Sequence, residues 1–201
     1  MESEGILNKS KYDFSEKNEF IQTIIIAILA FTVPTFLGML INTLFGSTSA
    51  IASNSQIIVG SIVNTVLVIS AINLKGWQKT AFIVTMPSIS AIFGGVVLKT
   101  SAVFAMYMIP GIWLGNFALI FAFKYLFVNK NLNYFLAGIV GILTKVAIIF
   151  GFFSLLKVFN VFPPKAITTL QTSMGLTQAI TATIGVIIAF AICKFEEIKL
   201  K

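Results

Sequence analysis

Apolar residues run along most of this chain in long blocks, broken by short clusters of lysine, asparagine, serine and glycine. A helix needs about 20 apolar residues to cross hydrocarbon, because lipid offers the backbone no hydrogen-bond partner. Six blocks qualify: Phe20–Phe45, Gln56–Leu74, Thr80–Leu98, Ser101–Phe123, Tyr134–Leu156 and Met174–Cys193. The pattern predicts an all-α polytopic membrane protein, a compact six-transmembrane-helix bundle over residues 20–194, with an N-terminal segment 1–19 and a tail 195–201 outside it. The third block carries Pro87, Ser88, Ser90, Gly94 and Gly95 and nearly touches the fourth, which predicts a short or bent helix. The 19 residues before the first block are polar or mixed, and no small-residue cleavage site follows a short apolar core. The first helix is therefore expected to be kept rather than removed as a signal peptide.

Composition agrees, since 57% apolar and 10% charged residues leave too little polar surface to coat a soluble domain. Charge then sets orientation, because cytoplasmic loops retain lysine. In the six-span reading Lys9, Lys11, Lys17, Lys75, Lys79, Lys124, Lys130, Lys194, Lys199 and Lys201 fall on the N-terminal side, and only Lys99, Lys157 and Lys165 on the other. Both termini are expected in the cytoplasm, with the protein in the cell membrane. The net charge of +7 is mostly this bias, and nothing points to a nucleic-acid partner.

All seven acidic residues lie at the chain ends, from Glu2 to Glu19 and at Glu196 and Glu197, and there is no histidine. Proton relays and divalent-cation pathways need such groups at membrane depth. One cysteine, Cys193, cannot hold an iron–sulfur cluster, and GxxxxGK[ST] is absent. No cofactor, metal centre or enzymatic constellation is expected. Backbone carbonyls holding an alkali cation stay open.

A few polar groups remain at depth. Lys145 is the twelfth of the 23 residues Tyr134–Leu156, where reaching either surface is hardest. Three readings stand beside one another: donation to backbone carbonyls as a cross-link, contact with an anionic or carbonyl-bearing ligand, or a neutral amine. Asn64, four residues after Gly60, and Asn116 can fasten helices together or touch substrate, as can Gln178 and Thr181 one turn apart. Gln56 reads as interfacial. Gly111 and Gly115 form GxxxG, and Pro110 frees a carbonyl, which predicts a bent, closely packed fourth helix beside a cavity. Tyr107 and Trp113 on that helix are suited to stack on a flat ring, or to mark the interface and the core.

The succession VGSIVNTVLVISAINLKGW, TMPSISAIFGG, MIPGIWLGN, GILTKVAIIFG and GLTQAITATIG, spread over residues 59–185, resembles the substrate-binding S component of energy-coupling factor (ECF) transporters. The resemblance implies capture of a vitamin or micronutrient on the outer face, with delivery after docking on a transmembrane T component driven by two cytoplasmic ATPases. It also implies a pocket toward the outside and lids at Gly46–Ser55 and Asn160–Ser173, the second holding Pro163, Pro164, Lys165 and Gln171. The first helix departs from the pattern, offering Thr23-x-x-x-Ala27 and Ala27-x-x-Ala30 but no alanine pair at the usual spacing of four. Lys145, Asn116, Trp113, Tyr107, Gln178, Thr181, Gln171 and Asn64 are the candidate substrate-binding residues. A pocket with a lysine, amides and aromatics but no acid suits a neutral or anionic compound. The competing reading is a non-transport membrane scaffold or anchor; an autonomous channel or carrier would need repeats or an internal charge pair.

Overall fold

The computed structural model describes residues 2–11, 16–45, 54–94 and 102–195, and they form helices joined by short turns. The elements are α1 (Glu2–Leu7), α2 (Glu16–Phe45), α3 (Ser55–Asn73), α4 (Trp77–Gly94), α5 (Ala102–Ala122), α6 (Tyr134–Val158), α7 (Pro164–Met174) and α8 (Leu176–Phe195). A π-helical turn, Phe123–Asn129, prolongs α5. Pro34, Pro87 and Pro110 lie inside α2, α4 and α5.

Among the described residues, five stretches are long and apolar enough to cross a membrane: Lys17–Phe45, Ser55–Asn73, Met106–Asn129, Tyr134–Val158 and Pro164–Lys194. The expected third span, Thr80–Leu98, is not among them. Its helix starts earlier, at Trp77, and takes in Gln78, Lys79 and Thr80, while residues 95–98 lie outside the described residues. Two further expectations change. The fourth helix does not end at Phe123 but continues to Asn129, which draws Lys124 out of a loop and into the fold. The stretch Asn160–Ser173 is not a loop; most of it is α7, with Pro164 at the first turn, where a missing N–H costs nothing. The other lid expectation, Gly46–Ser55, falls almost wholly outside the described residues.

Contacts at small residues fix the helix directions. A Cβ added to Gly60 would sit 2.9 Å from Thr181 Cγ2, and one on Gly185 would sit 2.5 Å from Asn64 Cβ. Both numberings rise together, so α3 and α8 run parallel. On the other flank a Cβ on Gly111 would meet Phe152 at 2.6 Å, one on Gly115 would meet Ile149 at 2.5 Å, and one on Gly141 would meet Leu119 at 2.8 Å. Here the numbers run oppositely, so α5 and α6 are antiparallel. The GxxxG of α5 thus acts as anticipated, letting a neighbouring helix approach where a side chain would stand.

One end of the bundle, called basal here, gathers the turns α3–α4 and α5–α6. Lys124 Nζ donates to Leu74 O and, at 2.6 Å, to Lys9 O. Residues 7–11 cross this end: Gly76 N donates to Leu7 O at 2.8 Å, Lys11 N to Ile72 O at 2.9 Å, and Lys11 Nζ to Asn131 Oδ1 at 2.7 Å. Glu19, at the foot of α2, accepts from Lys75 N at 2.7 Å and Lys79 Nζ at 2.8 Å. Gly76 and Asn131 hold φ of 96° and 52°, the left-handed values that let the two turns reverse. Asn133 caps α6 by accepting from Phe135 N. The opposite, distal end is closed by α7, whose Ala166, Leu170 and Met174 pack against Met108, Ile149, Phe153 and Phe162.

Candidate functional site

Two apolar clusters fill the bundle. The basal one is centred on Leu67, Ile72, Leu119, Phe123, Phe127, Tyr134 and Ala189, and the distal one on Met108, Ile149, Phe153 and Leu170. Along α6, Lys145 falls between Ala137 of the first and Ile149 of the second; along α5, Asn116 falls between Leu119 and Met108. A polar layer therefore lies between the two apolar clusters.

Lys145 is 2% exposed, and its Nζ donates to Asn64 Oδ1 at 2.5 Å and Asn116 Oδ1 at 2.7 Å. Side-chain amide oxygens from two neighbouring helices, not backbone carbonyls, hold it. Asn64 Nδ2 in turn donates to Gly60 O at 2.8 Å and to Thr181 Oγ1 at 3.2 Å. Thr181 Oγ1 donates to Gln178 O at 3.2 Å, and Gln178 Nε2 to Ser173 O at 3.3 Å. A continuous path thus runs from the end of α7 through α8 and α3 to Lys145 on α6 and Asn116 on α5.

The backbone builds this layer with small residues. The side of Asn64 lies against Gly185, and Thr65 Oγ1 donates to Ser61 O at 2.9 Å and Gly185 O at 3.3 Å, so α3 and α8 touch almost backbone to backbone. Lys145 O lies 3.1 Å from where a Cβ on Gly115 would be, which brings Asn116, the next residue, up to the lysine. A lysine ammonium at membrane mid-depth costs roughly 3 kcal/mol, and hydrogen bonds to a charged group return about 1.5–3 kcal/mol each. Two amides are enough to hold it there.

Of the eight anticipated site residues, the fold joins five in one network: Lys145, Asn64, Asn116, Thr181 and Gln178. Trp113 lies three residues before Asn116 on α5, half-buried against the basal cluster, and its Nε1 is buried without a hydrogen-bond partner. Tyr107 and Gln171 are exposed and join no part of the network. Sequence reasoning did not single out Gly185, although Gly60-x-x-x-Asn64 and Thr181-x-x-x-Gly185 share a four-residue spacing that pairs a small residue with a polar one. It also missed Lys124, fully buried at the basal end. Among the described residues no three His, Cys, Asp or Glu side chains come together as metal ligands. Comparison with protein-family models, curated proteins and solved structures finds no match in any of the three.

Proposed function

We propose that this chain is an integral membrane protein of six crossings that binds a small molecule for an ATP-driven importer, in the manner of an ECF S component. Directions along the bundle support six crossings. The α3–α4 turn is basal, whereas α5 runs from Met108 at the distal end to Lys124 at the basal end. The chain must travel the depth of the bundle between Trp77 and Met108, and α4, whose polar residues lower its hydropathy, is the long described helix between them. The basal end carries Lys9, Lys11, Lys75, Lys79, Lys124 and Lys130, which supports a cytoplasmic basal end and an outward α7.

The observation that carries the binding reading is the lysine-centred polar layer between two apolar clusters. A lysine kept at that depth without any carboxylate is rare, and ionisable residues inside membrane proteins mark ligand or ion paths. The ATPase motor would come from partners, a T component and two cytoplasmic ATPases, since the chain has no P-loop. Co-expression with candidate T component and ATPase subunits, followed by affinity capture through this chain, tests the assignment. The expected outcome is a stoichiometric complex; capture of the chain alone from every combination would overturn it. The scaffold reading draws on the same bonds, because Asn64 has both amide hydrogens engaged inside the protein. It differs in predicting that no small molecule raises the melting temperature.

A further inference from the structure

We infer that the basal end of the bundle is a peptide-binding site, filled in this structure by the chain's own residues 7–11, and that it accepts a Leu-x-x-x-Lys segment from another polypeptide in their place. Such a site is separate from the Lys145 layer and does not depend on the importer reading.

Residues 7–11 are held the way proteins hold a peptide, with hydrogen bonds to the main chain for affinity and a few side-chain contacts for selectivity. Gly76 N donates to Leu7 O at 2.8 Å, Lys124 Nζ to Lys9 O at 2.6 Å, and Lys11 N to Ile72 O at 2.9 Å. Any sequence offers those two carbonyls and that N–H. Two side chains are read. Leu7 is 5% exposed at the end of α1, the helix that touches the π-helical turn and α4. Lys11 Nζ donates to Asn131 Oδ1 at 2.7 Å and stands 4.9 Å from the centre of the Phe127 ring. Asn8 and Lys9 are exposed, which leaves a leucine and a lysine four residues apart as the pattern the site can recognise. An acidic residue in place of Lys11 would bring negative charge to an amide oxygen and to the negative face of a ring.

The receiving groups belong to the bundle and persist without the segment. Ile72 O is one of the last carbonyls of α3, which no intrahelical N–H can reach. Gly76 N lies in the α3–α4 turn, and Lys124 is fully buried on the π-helical turn. With residues 7–11 away, Lys124 Nζ would keep Leu74 O and lose Lys9 O, while Gly76 N and Ile72 O would lose their partners. Buried polar groups are rarely left unmet, so the emptied site should take another segment of the same pattern. The chain's own segment is then a tethered competitor, present at an effective concentration of roughly millimolar.

The test uses the purified full-length protein in detergent, carrying Leu7→Asp and Lys11→Gln together, which removes both side-chain contacts and leaves the receiving groups of the bundle in place. A fluorescein-labelled peptide of residues 1–11, MESEGILNKSK, is titrated by fluorescence anisotropy into this variant and into the parent. The variant should bind the peptide, and the parent should bind it at least about 10-fold more weakly because its own segment competes. The same peptide carrying Leu7→Asp should bind the variant about 10- to 100-fold more weakly, the range expected when a leucine is no longer buried. Should the double variant fail to fold, Lys11→Gln alone decides: it should bind the peptide more tightly than the parent does. No binding by the variant, an affinity equal to the parent's, or equal affinity for the two peptides overturns the inference.

Discussion

Replacing Gly185 by alanine should destabilise the protein, whereas the same replacement at Gly151 should stabilise it. The new methyl at Gly185 would lie 2.5 Å from Asn64 Cβ and 2.9 Å from both Ser61 O and Thr65 N. Two of these are backbone atoms of α3, so no rotamer change relieves the clash. Carbon atoms settle at about 3.5–4.0 Å, which requires α3 and α8 to separate by about 1 Å. Overpacking of this kind costs about 1–3 kcal/mol. The separation also carries the Asn64–Thr181 and Thr65–Gly185 bonds, already 3.2 and 3.3 Å, beyond bonding distance. Interhelical bonds in membranes average about 0.6 kcal/mol each. Alanine's better helix propensity returns about 1 kcal/mol, leaving a net loss of about 1–3 kcal/mol. A Cβ on Gly151 meets nothing within 4 Å, so only the propensity gain of about 0.5–1 kcal/mol remains there. Reversible unfolding by sodium dodecyl sulfate in mixed micelles, followed by far-ultraviolet circular dichroism, measures both variants against the parent. The reasoning is refuted if Gly185→Ala unfolds at or above the parent midpoint, or if both alanines shift it equally.

Other consequences are as direct. Tyr134→Phe removes a buried hydroxyl that donates to Val186 O at 2.8 Å and should lower stability by about 0.5–1.5 kcal/mol in the same titration. Lys124→Met leaves Lys9 O and Leu74 O without their donor, so limited trypsin should cut at Lys9 and Lys11 faster than in the parent; unchanged cleavage would show that residues 7–11 are held by other contacts. In a Cys193→Ser background, Lys130→Cys and Lys165→Cys should react with a membrane-impermeant maleimide from opposite sides of sealed vesicles, Lys165→Cys from outside. Labelling of both from one side would dismiss the proposed six-crossing topology.

The long apolar blocks made five membrane-length helices legible, because length and hydropathy act through composition alone. What composition conceals is where a helix goes when its neighbours supply the partners. Lys124 looked like a loop residue after an apolar run, yet the π-helical turn carries it inward to carbonyls of Lys9 and Leu74, two segments far away in sequence. The polar residues of α4 blur its hydropathy in the same way. Thr80 and Ser88 are buried against other helices, and Thr80 Oγ1 is satisfied by Gly76 O. For α7 the concealed signal was a short amphipathic repeat, Ala166, Leu170 and Met174, following two prolines in a stretch expected as a lid.

The site divides along a similar line. Lys145, Asn64 and Asn116 were visible because uncompensated polarity in an apolar run is rare and costly, whatever surrounds it. Their assembly was not visible, since the three lie on three helices and meet only because glycines on α5 and α8 let the backbones close. Gly115 brings Lys145 O to the wall of α5, and Gly185 makes room for the side of Asn64. The small residues set the separation between helices, and that separation sets whether two asparagine oxygens reach one ammonium. A change of about 1 Å at Gly185 is therefore expected to weaken the hydrogen bonds that hold Lys145 as well as the fold, although Gly185 never touches the lysine. Tyr107 and Gln171 mark the limit of sequence reasoning in the other direction. Both have the right chemistry, but their backbone positions turn them to the exterior, where an aromatic ring or an amide is common and uninformative.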